Sequence, residues 1–136
     1  MNATVRVRRV SSRKELKKAF AIRMRVFVRE QGVPAEIELD EDDRRAIHFL
    51  ALVADKAVGT ARVVLHRRGA KIGRMAVLKS YRGKGVGTKL LQKAIEAAKR
   101  KRARGIYLHA QVSVIGFYET AGFRAVAFVD ESLRVR

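Results

Sequence analysis

Arg74-Met75-Ala76-Val77-Leu78-Lys79-Ser80-Tyr81-Arg82-Gly83-Lys84-Gly85-Val86-Gly87-Thr88 is the stretch on which the fold turns. Its first residues read as the end of a strand, and the residues after Thr88 read as a helix. Three glycines at alternate positions, 83, 85 and 87, lie between the two, with Arg82 and Lys84 among them. Glycine permits the backbone angles that turn successive N–H groups toward one point, a helix N-terminus adds partial positive charge, and the two cations supplement it. The chemistry is that of an anion site, and a diphosphate is its natural guest. The spacing fails the dinucleotide fingerprint, which needs two residues between its second and third glycines. Gly87-Thr88-Lys89 also fails the nucleoside-triphosphate loop, which ends in Gly-Lys-Ser/Thr. Taken alone, the glycines are equally those of a tight strand-to-helix turn.

Downstream of the loop, Val86, Leu90, Leu91, Ala94, Ile95 and Ala98 recur at helical spacing. The pattern predicts a long helix from Gly83 to about Arg102, stopped by Gly105. A short strand, Ile106 to Ala110, a helix, Ser113 to Thr120, and a last strand, Phe123 to Val129, complete the chain. Upstream, Ile47 to Ala54, Ala57 to Arg67 and Lys71 to Leu78 read as a meander of three strands joined by tight turns. Thr4 to Val10 alternates with period two and predicts a first strand. Ser11 and Ser12 can cap a helix from Lys14 to about Val28, with Leu16, Ala19, Phe20, Met24 and Phe27 on its apolar side. Gly32-Val33-Pro34 ends that helix, and Glu36 to Asp43 reads as a short helix or loop over one end of the sheet.

Arg82, Gly85 and Gly87, preceded by the strand Arg74 to Val77, form an Arg-x-x-Gly-x-Gly spacing that resembles the GNAT superfamily of acyl-CoA-dependent N-acetyltransferases. Phe117-Tyr118-Glu119-Thr120-Ala121-Gly122-Phe123 resembles the Phe-Tyr-x-x-x-Gly-Phe segment common in that superfamily, and the element order is similar across essentially the whole chain. Arg25 to Gln31, followed by the acidic stretch, is similar to a branch of small, mostly uncharacterised prokaryotic members. The resemblance implies an α/β (α+β) fold with a mixed, mostly antiparallel sheet of six to seven strands flanked by about four helices, as a single domain over residues 1–136.

It further implies an acetyl-CoA-dependent N-acetyltransferase. Acetyl-CoA (coenzyme A) would lie against Met75, Ala76 and Val77, with Val77 as the main polar backbone contact. The N–H groups of Gly83, Lys84, Gly85, Val86, Gly87 and Thr88 would hold the pyrophosphate, with Arg82 and Lys84 close to phosphate. The thioester would enter a gap between splayed strands near Gln111 and Tyr118. Gln111 stands where relatives often place an asparagine that bonds the cofactor arm. The backbone N–H of Met75 or Val77 would stabilise the developing oxyanion. Tyr118, a phenol protonated at neutral pH, would act as general acid toward the leaving thiolate; its alternative role is core packing.

Superfamily members often place a carboxylate base on the strand before the glycine loop, but here that stretch offers Lys71 and Arg74 and no acid. His109 is a candidate catalytic base, since an imidazole titrates near neutrality, and its alternative is a structural histidine; His48 is a weaker candidate. Phe27, Glu30, Glu38 and Arg74 fall where the acceptor wall is expected. There Glu30, Glu36, Glu38 and Asp40 would attract a cationic amine, unless they form a solvated acidic loop.

Composition bounds these readings. At 136 residues the chain suits one domain, and no apolar run approaches the length of a membrane span. The first ten residues lack a secretory signal pattern, so a cytoplasmic protein is expected, with no membrane partner. No cysteine occurs, which excludes disulfides and thiolate chemistry, and three scattered histidines without an i, i+4 pair make no metal set. The formal net charge is +18, with ten Lys or Arg against Glu96 alone from Lys79 to Arg104, while Glu30 to Asp43 holds seven acids and no base. A basic nucleic-acid-binding protein is therefore an alternative reading. The basic segment carries only Tyr81 for stacking, however, so no specific nucleic-acid partner is expected. A non-catalytic acyl-CoA-binding sensor is the other alternative. The expected partner is a small-molecule or protein amine acceptor, and exposed edge strands make a homodimer a further expectation. Asn2 is the sole asparagine and lysine and arginine abound, a balance described for thermophilic proteins.

Overall fold

The computed structural model describes residues 4–67, 69–110 and 112–124. Strand β1 (Val5–Arg9) leads into helix α1 (Arg13–Arg23), which continues as a wider π-helical segment, Met24–Glu30. The acidic stretch folds as a short helix α2 (Ala35–Glu38) and a 3-10 turn, Glu41–Arg44. Strands β2 (Ile47–Val53), β3 (Lys56–His66) and β4 (Gly69–Val77) come next, as the three-stranded meander that the sequence predicts. Helix α3 (Val86–Arg100), strand β5 (Ile106–Tyr107) and helix α4 (Ile115–Glu119) complete the order. Among the described residues no helix is long and apolar enough to cross a membrane.

Five strands form one sheet in the order β1-β2-β3-β4-β5. The first four are antiparallel, and β4 and β5 are parallel, paired only through Ala70–Ile106 and Lys71–Tyr107. The mixed, mostly antiparallel α/β character agrees with the sequence reading, with five strands described where six to seven are expected. Phe123 and Arg124 are in no strand, and the remainder of the expected last strand lies outside the described residues.

Each face of the sheet is covered by one helix. On one face Leu90, Leu91, Ala94 and Ala98 of α3 pack against Phe49, Ala51, Val58, Val63 and Ile72. Burial of the leucine, valine, isoleucine and phenylalanine side chains contributes roughly 1.5–3 kcal/mol each. Gly59 allows this approach: a Cβ there would sit 3.0 Å from Leu90 Cδ1 and 3.1 Å from Val86 Cγ1. On the other face Ala19, Ile22, Val26 and Phe27 pack on Leu50 and Ala76. Ser12 caps α1, its hydroxyl accepting from the Glu15 N–H at 3.1 Å. The sequence places Leu16, Ala19, Phe20, Met24 and Phe27 on the apolar side of this first helical stretch; in the structure Ala19 and Phe27 are buried together with Ile22 and Val26, while Leu16, Phe20 and Met24 are half-buried. Arg23 is only 1 % exposed, because Glu38 and Asp43 meet its guanidinium inside the protein.

Between the pairs Thr60–Ala76 and Arg62–Gly73, one β3 residue opposes two β4 residues, Arg74 and Met75. This is a β-bulge, which bends the strand that carries it. Arg74 takes a left-handed φ of +48° there. The bend falls just beyond the last β4–β5 pair, so past Lys71 and Tyr107 the two strands are unpaired.

Candidate active site

The unpaired part of β4 and the segment after β5 line a cleft of about 540 Å³. Its walls are Phe27 of the π-helical segment, Gly73 to Val77 of β4, Leu108 to Ala110 after β5, and Phe117 and Tyr118 of α4. Arg82 and Gly87 stand at the glycine-loop end, and Arg62 and Lys71 at the other.

The glycine loop is built by its own backbone. Gly83 and Gly85 hold φ of 74° and 83°, conformations that side chains rarely adopt, with open space where a Cβ would stand. Gly85 is the N-cap, so α3 starts at Val86, three residues later than the apolar stripe predicts. The first bond of the helix runs from the Lys89 N–H to the Gly85 carbonyl. The N–H groups of Val86, Gly87 and Thr88 therefore lack helical partners. Gly87 lines the cleft with an ordinary negative φ, and a Cβ there would lie 3.5 Å from the Phe117 ring. The side chain of Val86 is buried in the core, leaving only its backbone for a ligand.

The two loop cations differ. Arg82 is tethered, its Nε donating to the Val77 carbonyl at 2.8 Å and Nη2 to Glu30 at 2.8 Å. The Lys84 ammonium lies over the Tyr81 ring, 5.7 Å from its centre, and that of Lys56 lies 5.5 Å from the same centre. Just past β4, the Leu78 N–H donates to the Val58 carbonyl, so antiparallel alternation turns the polar groups of Val77 away from β3. Arg82 occupies the carbonyl, and the Val77 N–H is left facing the cleft.

Tyr118 packs edge-to-face with Phe117 and Phe123, at ring separations of 5.0 and 6.2 Å. Burial pushes its phenol above the usual value, which keeps it protonated at neutral pH. His109 is exposed at the cleft, its ring 6.3 Å from that of Tyr107. His48 is elsewhere: it is buried against Phe20, its Nε2–H donates to the Asp43 carbonyl at 2.9 Å, and burial pushes its imidazole down. It is a neutral structural ring. Gln111 lies outside the described residues.

The acidic stretch departs most from its sequence reading. Glu38 is fully buried; its Oε1 accepts from Arg23 Nε at 3.1 Å and lies 3.3 Å from Arg74 Nε. Asp40 accepts from Arg62 at 2.6 and 3.0 Å and from Arg74 at 3.1 Å. Asp43 accepts from Arg23 at 2.7 Å and from Arg62 at 2.8 Å. Burial alone would raise the Asp43 carboxyl, but the hydrogen bonds and charge of Arg23, with the Asp40 N–H and Arg62, hold it at about 2. Three guanidinium groups thus face three carboxylates under the cleft. Glu38 is correspondingly not part of an acceptor wall, and Glu30 is engaged with Arg82.

The cleft brings together Phe27, Arg74, Met75, Ala76, Val77, Arg82, Gly87, His109 and Tyr118. Gly83, Lys84, Gly85, Val86 and Thr88 belong to the loop and first turn beside it. Sequence reasoning missed Arg62 and Arg23 as partners of the acidic stretch. The available signal was an arginine inside the otherwise apolar run Ala61-Arg62-Val63-Val64.

A sheet opened between two parallel strands at a bulge, with a glycine-turned helix start at one end of the opening, is the architecture of an acyltransferase of the N-acetyltransferase class. The chain belongs to the Acetyltransferase (GNAT) family, whose model matches residues 14–123. It is similar to the uncharacterised N-acetyltransferase YjcF of Bacillus subtilis, 37% identical over 88% of this chain and 87% of that protein. It is also similar to the protein ElaA of Escherichia coli, 33% identical over 81% of this chain and 75% of the relative. The crystal structure of Escherichia coli ElaA superposes with a TM-score of 0.85 at 29% identity, covering 94% of this chain and 93% of that one. An acyl-CoA N-acyltransferase from Pseudomonas aeruginosa gives a TM-score of 0.82 at 28% identity, covering 96% and 94%.

Proposed function

We propose that this protein is an acetyl-CoA-dependent N-acetyltransferase that acetylates a primary amine by direct attack in a ternary complex, with Tyr118 as general acid. The observation that carries the reading is continuity: one cleft runs from the glycine loop, past the free Val77 N–H, to Tyr118. The loop fits a pyrophosphate, because space is open beside Gly83 and Gly85 and three helix N–H groups lack partners. Arg82 and Lys84 add charge at that mouth, and Val77 offers the N–H that an extended amide-containing arm would meet.

When bound, acetyl-CoA supplies the thioester carbonyl that the amine attacks. The N–H of Val77, or that of Met75 in the bulge, donates to the oxygen on which charge develops. Tyr118, held protonated by burial, delivers its proton to the departing sulfur. His109 accepts the proton of the amine, directly or through water.

Calorimetric titration with acetyl-CoA and with CoA in moderate salt tests the cofactor site. One-site binding is expected, and it is lost in a Gly85→Val, Gly87→Val variant. Tyr118→Phe is then expected to lower kcat by about 10²–10⁴-fold with little change in acetyl-CoA affinity. An absence of binding by the wild-type protein overturns the proposal. One observation favours a second reading, an acyl-CoA sensor without turnover: no carboxylate lines the cleft among the described residues. Tight binding with no acetylation of any amine in a broad panel would support that reading.

A further inference from the structure

Among the described residues, the permanently charged side chains lining the cleft are Arg62, Lys71, Arg74 and Arg82, and all are cations. Arg82 belongs to the glycine-loop end. The other three lie at the opposite end, on the sheet face covered by α1 and the acidic segments. Two of these are already committed. The guanidinium of Arg62 is held by Asp40 and Asp43, that of Arg74 by Glu38 and Asp40, and both side chains are only 6% exposed.

Lys71 differs. It projects from β4 at the last pair before the strands part, and among the described residues its ammonium has no carboxylate within salt-bridge distance. The nearby acids are spoken for: Asp40 accepts from both arginines, and Asp42 from Arg45 at 3.2 Å. Burial, together with the charges of Arg62 and Arg74, pushes the Lys71 ammonium below its usual value despite the opposing pull of Asp42 and Asp40. Beside it Gly73 leaves open space where a side chain would stand.

We propose that the acceptor is a primary amine bearing an acid group, and that Lys71 is the residue that binds that group. The inference rests on the acetyltransferase reading of the cleft and names the substrate class of its acceptor end. An unpaired, partly desolvated cation is stabilised by an anion within hydrogen-bond reach, and such charge-assisted bonds are the strong ones. A purely cationic acceptor such as a polyamine meets the reverse: like charges on the wall and, among the described residues, no lining carboxylate to receive it. The same wall favours the neutral form of the attacking amine, because neighbouring cations disfavour the ammonium. An acid-bearing acceptor is thus held by one end while its amine is eased toward the nucleophilic state, in a cleft that has no carboxylate base among the described residues.

Acetylation of matched amines decides the matter. The panel pairs glycine, β-alanine and 4-aminobutyrate with their amides, and phosphoethanolamine with ethanolamine, with spermidine as the cationic comparison. The acid-bearing member of at least one pair is expected to have the higher kcat/KM by about 10- to 100-fold. The carboxylate and phosphate arms show which acid is preferred. Lys71→Gln is expected to erase the preference by raising KM for that member, Lys71→Arg to retain part of it, and acetyl-CoA affinity by calorimetry to hold in both. Equal or better use of the amides or of spermidine overturns the inference, and so does a loss of acetyl-CoA affinity in Lys71→Gln.

Protection of Lys71 gives a readout that needs no turnover. Trinitrobenzenesulfonate labelling, located by peptide mass spectrometry, should be slowed by the preferred acid-bearing compound and not by its neutral partner. If acetyl-CoA does not bind at all, the acetyltransferase reading fails while this arm still judges Lys71, and unprotected labelling sinks the anion site.

Discussion

The two faces of the sheet bury their helices by opposite chemistry. Helix α3 sits on its face through Leu90, Leu91, Ala94 and Ala98, which join an apolar cluster with the strands. Helix α1 and the segments after it bring Arg23, Glu38 and Asp43 inside, to meet Arg62 and Arg74 from the strands. The first face needs only apolar pattern and close approach. The second is neutral only when three arginines from α1, β3 and β4 meet three acids from one loop. The comparison teaches that the cation-lined end of the cleft stands on the face whose assembly is all-or-none. Removing one member there strands a buried charge, whereas trimming the apolar face removes contact area.

The sharpest way to break this comparison is Arg23→Ala. It leaves Glu38 and Asp43 buried with one guanidinium fewer, and a loss of about 3–5 kcal/mol is expected from urea unfolding. Arg23→Met together with Glu38→Gln should cost less than Arg23→Ala alone, because the charge left behind is smaller; an equal cost would refute the buried-charge account. Acid comes next. The Asp43 carboxyl is depressed to about 2, so its contribution is present above the unfolded carboxylate value near 4 and is lost as pH falls toward 2. The loss is on the order of 2 kcal/mol, read as a falling denaturation midpoint across that window. Asp43→Asn should flatten that part of the pH profile. On the apolar face, Gly59→Ala forces a Cβ against Leu90 and Val86 and is expected to cost about 1–2 kcal/mol, independent of pH. Smallest is Arg6→Ala on the exposed edge. Its ion pair with Asp55 is solvated on both sides, and the unfolding free energy should change by less than about half a kcal/mol.

Much of the α3 face was legible in the sequence, because its rules are local. The helical stripe from Val86 to Ala98 reports burial through a short period, and the apolar run of β2, buried at every residue from Ile47 to Leu52, reports it by being continuous. The start of α3 at Val86 instead of Gly83 shows the limit of the stripe, since the left-handed Gly85 sets the cap and carries no apolar signal. Of the candidate site, the glycine loop was readable for the same local reason, whereas Val77 and Tyr118 were marked by the family resemblance. Their gathering around one cleft depends on the bulge at Arg74 and Met75, where an arginine in a strand gives no warning of a left-handed φ.

The acidic stretch shows where local reading stops. Seven acids in fourteen residues look like a solvated loop or an acceptor wall, because a sequence displays charge without displaying its partners. Glu38 meets Arg23, 15 residues away, and Arg74, 36 residues away, and Asp40 meets Arg62 across 22. From the sequence alone came the element order, the glycine loop as a candidate anion site and the family resemblance, all carried by short-range backbone rules, motif spacing and side-chain periodicity. Only the tertiary structure decided the sign of the cleft: once arginines from distant elements consume the acids beneath it, the permanently charged side chains lining it among the described residues are cations, and of the three away from the glycine loop Lys71 is the one with no carboxylate within salt-bridge distance.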